Sequence, residues 1–197
     1  FAIEAVDPLS GPIATLLPPK ASAAVQHALE RECGVHYHFG TVVEAIDKKG
    51  DGIVATLANG QKVEADIALS AIGMRPRIGL ARQSGIAVNR GITVNRHLET
   101  SAPDVYAFGD CAEVEGHVLY YVLPLMACAR ALAKTLHGDR TAVVYGPMPV
   151  GVKVTVCPIQ VSPPARGATG EWHEEVVEGD SVRALFQDPE GKLLGFA

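Results

Sequence analysis

The apolar residues change their period several times along the chain, and each change marks an element. Phe1–Val6 is apolar apart from Glu4 and reads as a strand. Asp7 to Pro19 carries Ser-Gly-Pro and two adjacent prolines, the composition of a long connection. Ala21–Cys33 then sets Val25, Ala28 and Leu29 at helical spacing, with Gly34 where a helix ends. Val35–Phe39 alternates as a half-buried strand does. Val42–Ile46, Ile53–Leu57 and Lys62–Ile72 follow, separated by Lys48-Lys49-Gly50-Asp51-Gly52 and by the hairpin signal Asn59-Gly60. They predict an antiparallel meander that leads into a buried strand, Ile67–Ile72.

Ile86–Val88 and Ile92–Val94, joined by Asn89-Arg90-Gly91, read as a small hairpin. Val105–Phe108 is a short apolar run between Pro103-Asp104 and Gly109-Asp110, which predicts a buried strand that stops abruptly. Pro124 suits a first helical turn, and Leu125–His137 continues with Ala127, Ala129, Ala131, Leu132, Ala133 and Leu136. Lys134 and His137 fall in the last turn, with Gly138 just beyond. Tyr145-Gly146-Pro147-Met148-Pro149 marks a linker, and Ser162 to Gly167 another loop. Val150–Val156, Ile159–Val161, Trp172–Val177, Val182–Phe186 and Leu193–Phe196 read as strands of a small β-rich module.

The 197 residues suffice for one large or two small domains, and 48% hydrophobic with 20% charged residues fits a folded chain. A net charge of -5 offers nothing global to nucleic acid or an anionic membrane, and no apolar run approaches a membrane span. Cys33, Cys111, Cys128 and Cys157 form no Cys-x-x-Cys pair; reduced, packed thiols are expected for three of them, in keeping with a cytoplasmic setting. His36 and His38 share a strand face and could bind metal, but without an evident third ligand they read as exposed strand histidines. His173-Glu174-Glu175 lacks a helical histidine partner and is discounted for the same role, so no metal site is assigned. Gly50-x-Gly52-x-x-Ala55 matches the dinucleotide fingerprint in form only, since a charged turn precedes it and β-rich residues follow. Arg75, Arg77, Arg82, Arg90 and Arg96 make a basic region, either a docking face for an acidic partner or a solvated loop surface, of which the second is preferred.

Chemistry concentrates at Gly109-Asp110. A carboxylate at the carboxyl end of a strand lies where open α/β sheets take ligands, and it suits a sugar-alcohol hydroxyl. An ordinary Gly-Asp turn is the alternative. Thr100 with Tyr106-Ala107-x-Gly109-Asp110 resembles the second flavin-binding signature of flavoprotein reductases with two dinucleotide-binding domains. The continuation, Cys111-Ala112-Glu113-Val114 and then Tyr121 to Ala133, resembles the rubredoxin–NAD reductase family, and the similarity runs from Phe1 to Ala197.

That resemblance implies an α/β fold, Rossmann-like with an antiparallel β-meander, plus a small C-terminal β-rich module. Residues 1–74 would be the distal half of an NAD-binding domain, 75–143 the closing part of an FAD-binding domain, and 144–197 the C-terminal module, cut short. The chain opens within a strand and is expected to be a piece of a longer protein. The cofactors implied are FAD and NAD(H). By resemblance, Asp110 and Gly109 hold the ribityl chain, Val122 touches FAD through its backbone, and Lys153 stands against the flavin; an outward-facing strand lysine is the other reading of Lys153. Gly73, in Ala71-x-Gly73-x-x-Pro76, lies by resemblance near the nicotinamide dinucleotide. No acid or base catalyst is implied. Ala5, where a ribose-binding carboxylate commonly stands, is flanked by Glu4 and Asp7, so preference for NADH follows from the family alone. The implied acceptor is rubredoxin, a small acidic iron protein. A ferredoxin- or nitrite-reductase component, a disulfide reductase and a non-catalytic nucleotide-binding piece are the alternatives.

Overall fold

The computed structural model describes all residues except Pro147, in the expected linker, and Arg166, in the expected loop. The elements run in order β1 (Ile3–Asp7), α1 (Pro19–Cys33), β2 (Val35–Phe39), β3 (Val43–Lys49), β4 (Gly52–Leu57), β5 (Lys62–Ala65), α2 (Gly79–Gln83), β6 (Ile92–Val94), β7 (Ala112–Val114), α3 (Val122–Leu136), β8 (Val150–Val152), β9 (Ile159–Val161), β10 (Glu171–Glu178), β11 (Ser181–Gln187) and β12 (Leu193–Phe196). They form two units, one from Phe1–Ser70 with Pro149–Ala197 and one from Ala71–Met148.

In the first unit β1 and β2 pair in parallel, with Glu4 opposite His36 and Asp7 opposite Phe39. The crossover between them is α1, which starts two residues earlier than its apolar spacing suggests because Pro19 takes the first helical position, where no N–H is needed. Its N-terminus has no local side-chain cap; instead the Glu174 carboxylate accepts the Ala21 N–H at 3.0 Å. The apolar face of α1 (Ala21, Val25) and Leu17 share a core with Ile159 and Val161 of β9. The meander β3-β4-β5 is antiparallel as expected, and its two turns sit at Gly50 and Asn59-Gly60. β8 pairs antiparallel with β9, and β10-β11-β12 forms a separate antiparallel sheet.

Two expected buried strands do not form. Ile67–Ile72 is exposed: Ile67, Leu69 and Ile72 keep 83%, 90% and 94% of their accessible surface. An apolar run buries only when neighbouring strands complete its ladder and cover its faces, and no strand among the described residues pairs with it. Val105–Phe108 pairs on one side only, through an isolated bridge between Glu99 and Tyr106, and both Val105 and Phe108 are exposed. The strand expected over Val150–Val156 stops at Val152, where a turn closed by Val154 and Cys157 N–H groups takes over.

The second unit packs α3 over the parallel pair β6-β7, around Leu98, Ala107, Val114, Cys128, Leu132 and Val143. The expected small hairpin is present as a bridge between Val88 and Ile92. Between its arms and β7, Glu113 is 3% exposed and accepts the Gly91 N–H and the Asn89 amide, each at 2.9 Å. Cys128 is buried, with its sulfur 3.2 Å from the Tyr145 hydroxyl, and acts in packing.

Candidate functional site

The Gly109-Asp110 turn is built by the segment before it. Thr100 Oγ1 accepts the Ala102 N–H at 3.1 Å and closes a tight turn. The returning chain bonds back, with the Thr100 N–H on the Val105 carbonyl and the Ala107 N–H on the Leu98 carbonyl. This ladder runs to Ala107. Gly109 then adopts φ +78° and opens one turn of 3₁₀ helix, Gly109–Cys111, which delivers the chain into β7. A Cβ at Gly109 would stand 3.4 Å from Leu125 Cδ1 on α3, an ordinary contact, so it is the left-handed backbone that favours glycine. Asp110 is exposed, and its carboxylate has no hydrogen-bond partner among the described residues.

Beside the turn, α3 begins at Val122 without a side-chain cap. Val122 and Leu123 are 73% and 58% exposed. Uncapped amides at a helix start carry partial positive charge. A carboxylate and a helix start whose first two amides, Val122 and Leu123, precede Pro124 therefore lie in one unit, Gly109 touching α3. The cavity behind Gly109, toward Cys128 and Tyr145, is only about 10 Å³. It holds no ring system, so a large ligand must use the exposed side of the turn.

The other expected positions are more dispersed. Gly73, in the same unit, has φ +91° with open space around it; its backbone rather than its surroundings requires glycine. Lys153 belongs to the other unit, exposed and one residue past β8. At the carboxyl ends of β1 and β2, the Asp7 carboxylate accepts the Leu9 N–H at 2.8 Å, and Thr41 carries a buried hydroxyl without a partner among the described residues. Glu4 is turned to His36 and His38. These imidazoles hold its carboxyl below the usual range. Sequence reasoning missed Thr41, whose only signal is its place just after β2, and missed Glu4 as a partner of the histidines. Of the basic region, Arg96 makes a two-point ion pair with Glu115, at 2.6 and 2.7 Å. Arg75, Arg77, Arg82 and Arg90 are exposed and form no ion pair among the described residues.

Glu99, within the ladder that carries the turn, is bound by Arg140 at 2.8 and 3.0 Å and by the Asn95 amide at 2.6 Å. Arg140 and then Asn95 lower its pKa from 4.5 to about 2. A folded pKa below the unfolded one adds stability that is fully present above about pH 4.5 and is lost as pH falls toward 2. In Glu99→Gln the fall in stability between these pH values is expected to be shallower, as read by urea unfolding at a series of pH values. An unchanged slope would show that the pair does not persist in solution.

Residues 3–135 match the pyridine nucleotide-disulphide oxidoreductase family, and residues 142–197 match the rubredoxin binding C-terminal domain. The chain belongs to the pyridine nucleotide-disulphide oxidoreductase family. The rubredoxin-NAD(+) reductase of Alcanivorax borkumensis is 50% identical over 198 aligned positions, covering 100% of this chain and 51% of that protein. That of Acinetobacter baylyi is 45% identical and covers 98% of this chain and 49% of its own length. The chain thus spans about half the length of the curated relatives it matches. Among solved structures, a ferredoxin reductase from Rhodopseudomonas palustris superposes with a TM-score of 0.86 at 23% identity, over 100% of this chain and 50% of that one. NADH:rubredoxin oxidoreductase from Clostridium acetobutylicum gives 0.72 at 20% identity, over 98% and 47%. The fold is that of the two-dinucleotide-domain flavoprotein reductases, here as small α/β sheets with a β-rich C-terminal module. Within this family, the exposed Asp110 carboxylate, the close glycine and the uncapped start of α3 fit a flavin dinucleotide, which offers hydroxyls to an acceptor and an electron-rich ring edge to a helix N-terminus.

Proposed function

We propose that this chain is part of a flavoprotein reductase that passes electrons from NADH through FAD to rubredoxin. The observation that carries the proposal is the succession, in one chain, of the pyridine nucleotide-disulphide oxidoreductase match and the rubredoxin binding domain match. The names of the Alcanivorax and Acinetobacter relatives support the same acceptor. In the whole protein, residues 1–74 serve the NAD-binding domain, 75–143 the FAD-binding domain and 144–197 the acceptor-facing module. Cytoplasmic placement is part of the proposal, supported by four free cysteines. No helix among the described residues is long and apolar enough to cross a membrane.

FAD, when bound, supplies the redox chemistry, taking a hydride and releasing electrons singly. The chain's own residues bind and orient. Asp110 accepts a hydrogen bond from a ribityl hydroxyl, and Gly109 lets the backbone come close. The start of α3 at Val122 favours negative charge on the flavin. Lys153, by the family resemblance, would stand against the flavin in the whole protein. Gly73 admits the nicotinamide dinucleotide near the backbone. Hydride transfer to a flavin needs no acid or base from the protein, and none is assigned.

In an anaerobic assay with NADH, the full-length protein is expected to reduce rubredoxin several-fold faster than ferredoxin or a disulfide substrate. Its rate should fall as salt rises, if Arg75, Arg77, Arg82 and Arg90 steer an acidic acceptor. Equal rates for all acceptors would remove rubredoxin as the partner. A protein that binds FAD yet is not bleached by NADH would remove the reductase reading altogether.

A further inference from the structure

Glu4, His36 and His38 take no part in the site described above. Glu4 lies in the middle of β1, and His36 is its register partner on β2. His38 stands two residues further on, so all three side chains leave one face of the parallel pair. Tyr37 and Phe39 alternate with the histidines and stack on each other, ring centroids 4.8 Å apart. A single carboxylate oxygen, Glu4 Oε2, stands 2.7 Å from His36 Nδ1 and 2.7 Å from His38 Nε2. One ligand atom from each residue lies within 4.8 Å of the others. The His38 side chain is 7% exposed and that of His36 is 66% exposed, so the cluster has a closed wall and an open side.

Two imidazole nitrogens and one carboxylate oxygen form the donor set of zinc sites with three protein ligands and an open fourth position. Imidazole favours zinc, copper and nickel, whereas calcium and magnesium need more oxygen ligands than one carboxylate supplies. Tetrahedral ligands at about 2.0–2.2 Å from a metal stand roughly 3.3 Å from one another. The two Glu4–His pairs at hydrogen-bond distance would separate by about half an ångström to admit an ion, and the two imidazole nitrogens, within 4.8 Å of each other, would adjust to the same spacing. We propose that Glu4, His36 and His38 form a binding site for one divalent first-row transition ion, zinc above all, clasping β1 to β2. The site goes beyond the reductase reading and stands independently of it. Glu4 precedes the end of β1 at Asp7 by three residues, about 10 Å along a strand, so the ion ties the sheet together and lies away from its ligand-binding end.

Metal-free full-length protein is expected to take up one equivalent of Zn²⁺ with micromolar or tighter affinity in calorimetric titration, and its thermal midpoint should rise with the metal. Glu4→Gln and His36→Ala should each weaken uptake at least about ten-fold and remove the rise in midpoint. Both alter exposed positions, and circular dichroism together with FAD content verifies that each variant folds. His36→Gln serves as a second variant at the open side of the cluster. Co²⁺ used as a probe should give visible absorption without a thiolate charge-transfer band. No zinc uptake by the wild type, unchanged affinity in both variants, or a cobalt–thiolate band would each overturn the proposal.

Discussion

If Asp110 holds the ribityl chain as proposed, replacing it by alanine is expected to weaken FAD retention by the full-length protein about 10- to 100-fold, the effect of removing a charged acceptor from a hydroxyl. The carboxylate is exposed and has no partner among the described residues, so the fold draws nothing from it. The thermal midpoint of the FAD-free protein should therefore match wild type, while flavin titration by fluorescence shows the loss. Asp110→Asn keeps an acceptor without the charge and should fall between the two. A variant that loses FAD and stability together would mark Asp110 as an ordinary turn residue. A variant that keeps full affinity would remove the ribityl assignment.

Leu98→Ala is expected to destabilise the second unit by about 2–5 kcal/mol, enough to unfold it in a marginal protein. Leu98 is 0% exposed, the fully buried side chain at the base of the ladder that carries the Gly109-Asp110 turn. It holds φ +64°, a conformation that penalises a side chain by roughly 1–2 kcal/mol. Full burial of leucine contributes about 1.5–3 kcal/mol, so packing outweighs the backbone penalty. Asn95 makes the conformation possible, its Oδ1 accepting the His97 and Glu99 N–H groups at 2.8 and 3.2 Å. Urea unfolding of wild type and variant measures the difference. A loss below about 1 kcal/mol would mean that the site collapses around the missing side chain.

Much of the candidate site was legible before any tertiary structure. The break after Phe108, the glycine and the following carboxylate stood out because an apolar run ended there on two residues of opposite character. The structure adds why Gly109 is glycine, through its positive φ. The exposure of Val105 and Phe108 was not legible, because alternation and β-branching report that a segment can pair but not how many partners it finds. The same limit explains Ile67–Ile72, whose apolar character matches a central strand while the described residues offer it no neighbour.

Features set by contacts a few residues apart could be read directly from the order of side chains. They include the end of α1 at Gly34, the Asn59-Gly60 hairpin, the last turn of α3 and the small turn at Gly109-Asp110, whereas α3 starts at Val122, two residues before Pro124. Their hydrogen bonds close within one turn of chain, so local residue types decide them. Tertiary structure alone brought Glu4 to His36 and His38 across 32 and 34 residues, set Glu174 on the N-terminus of α1 across 153, and joined the β9 core to α1. Those meetings depend on strand register and helix docking. Register is a relation between distant segments, and a period of two within each strand sets which face a side chain takes but not what it meets there.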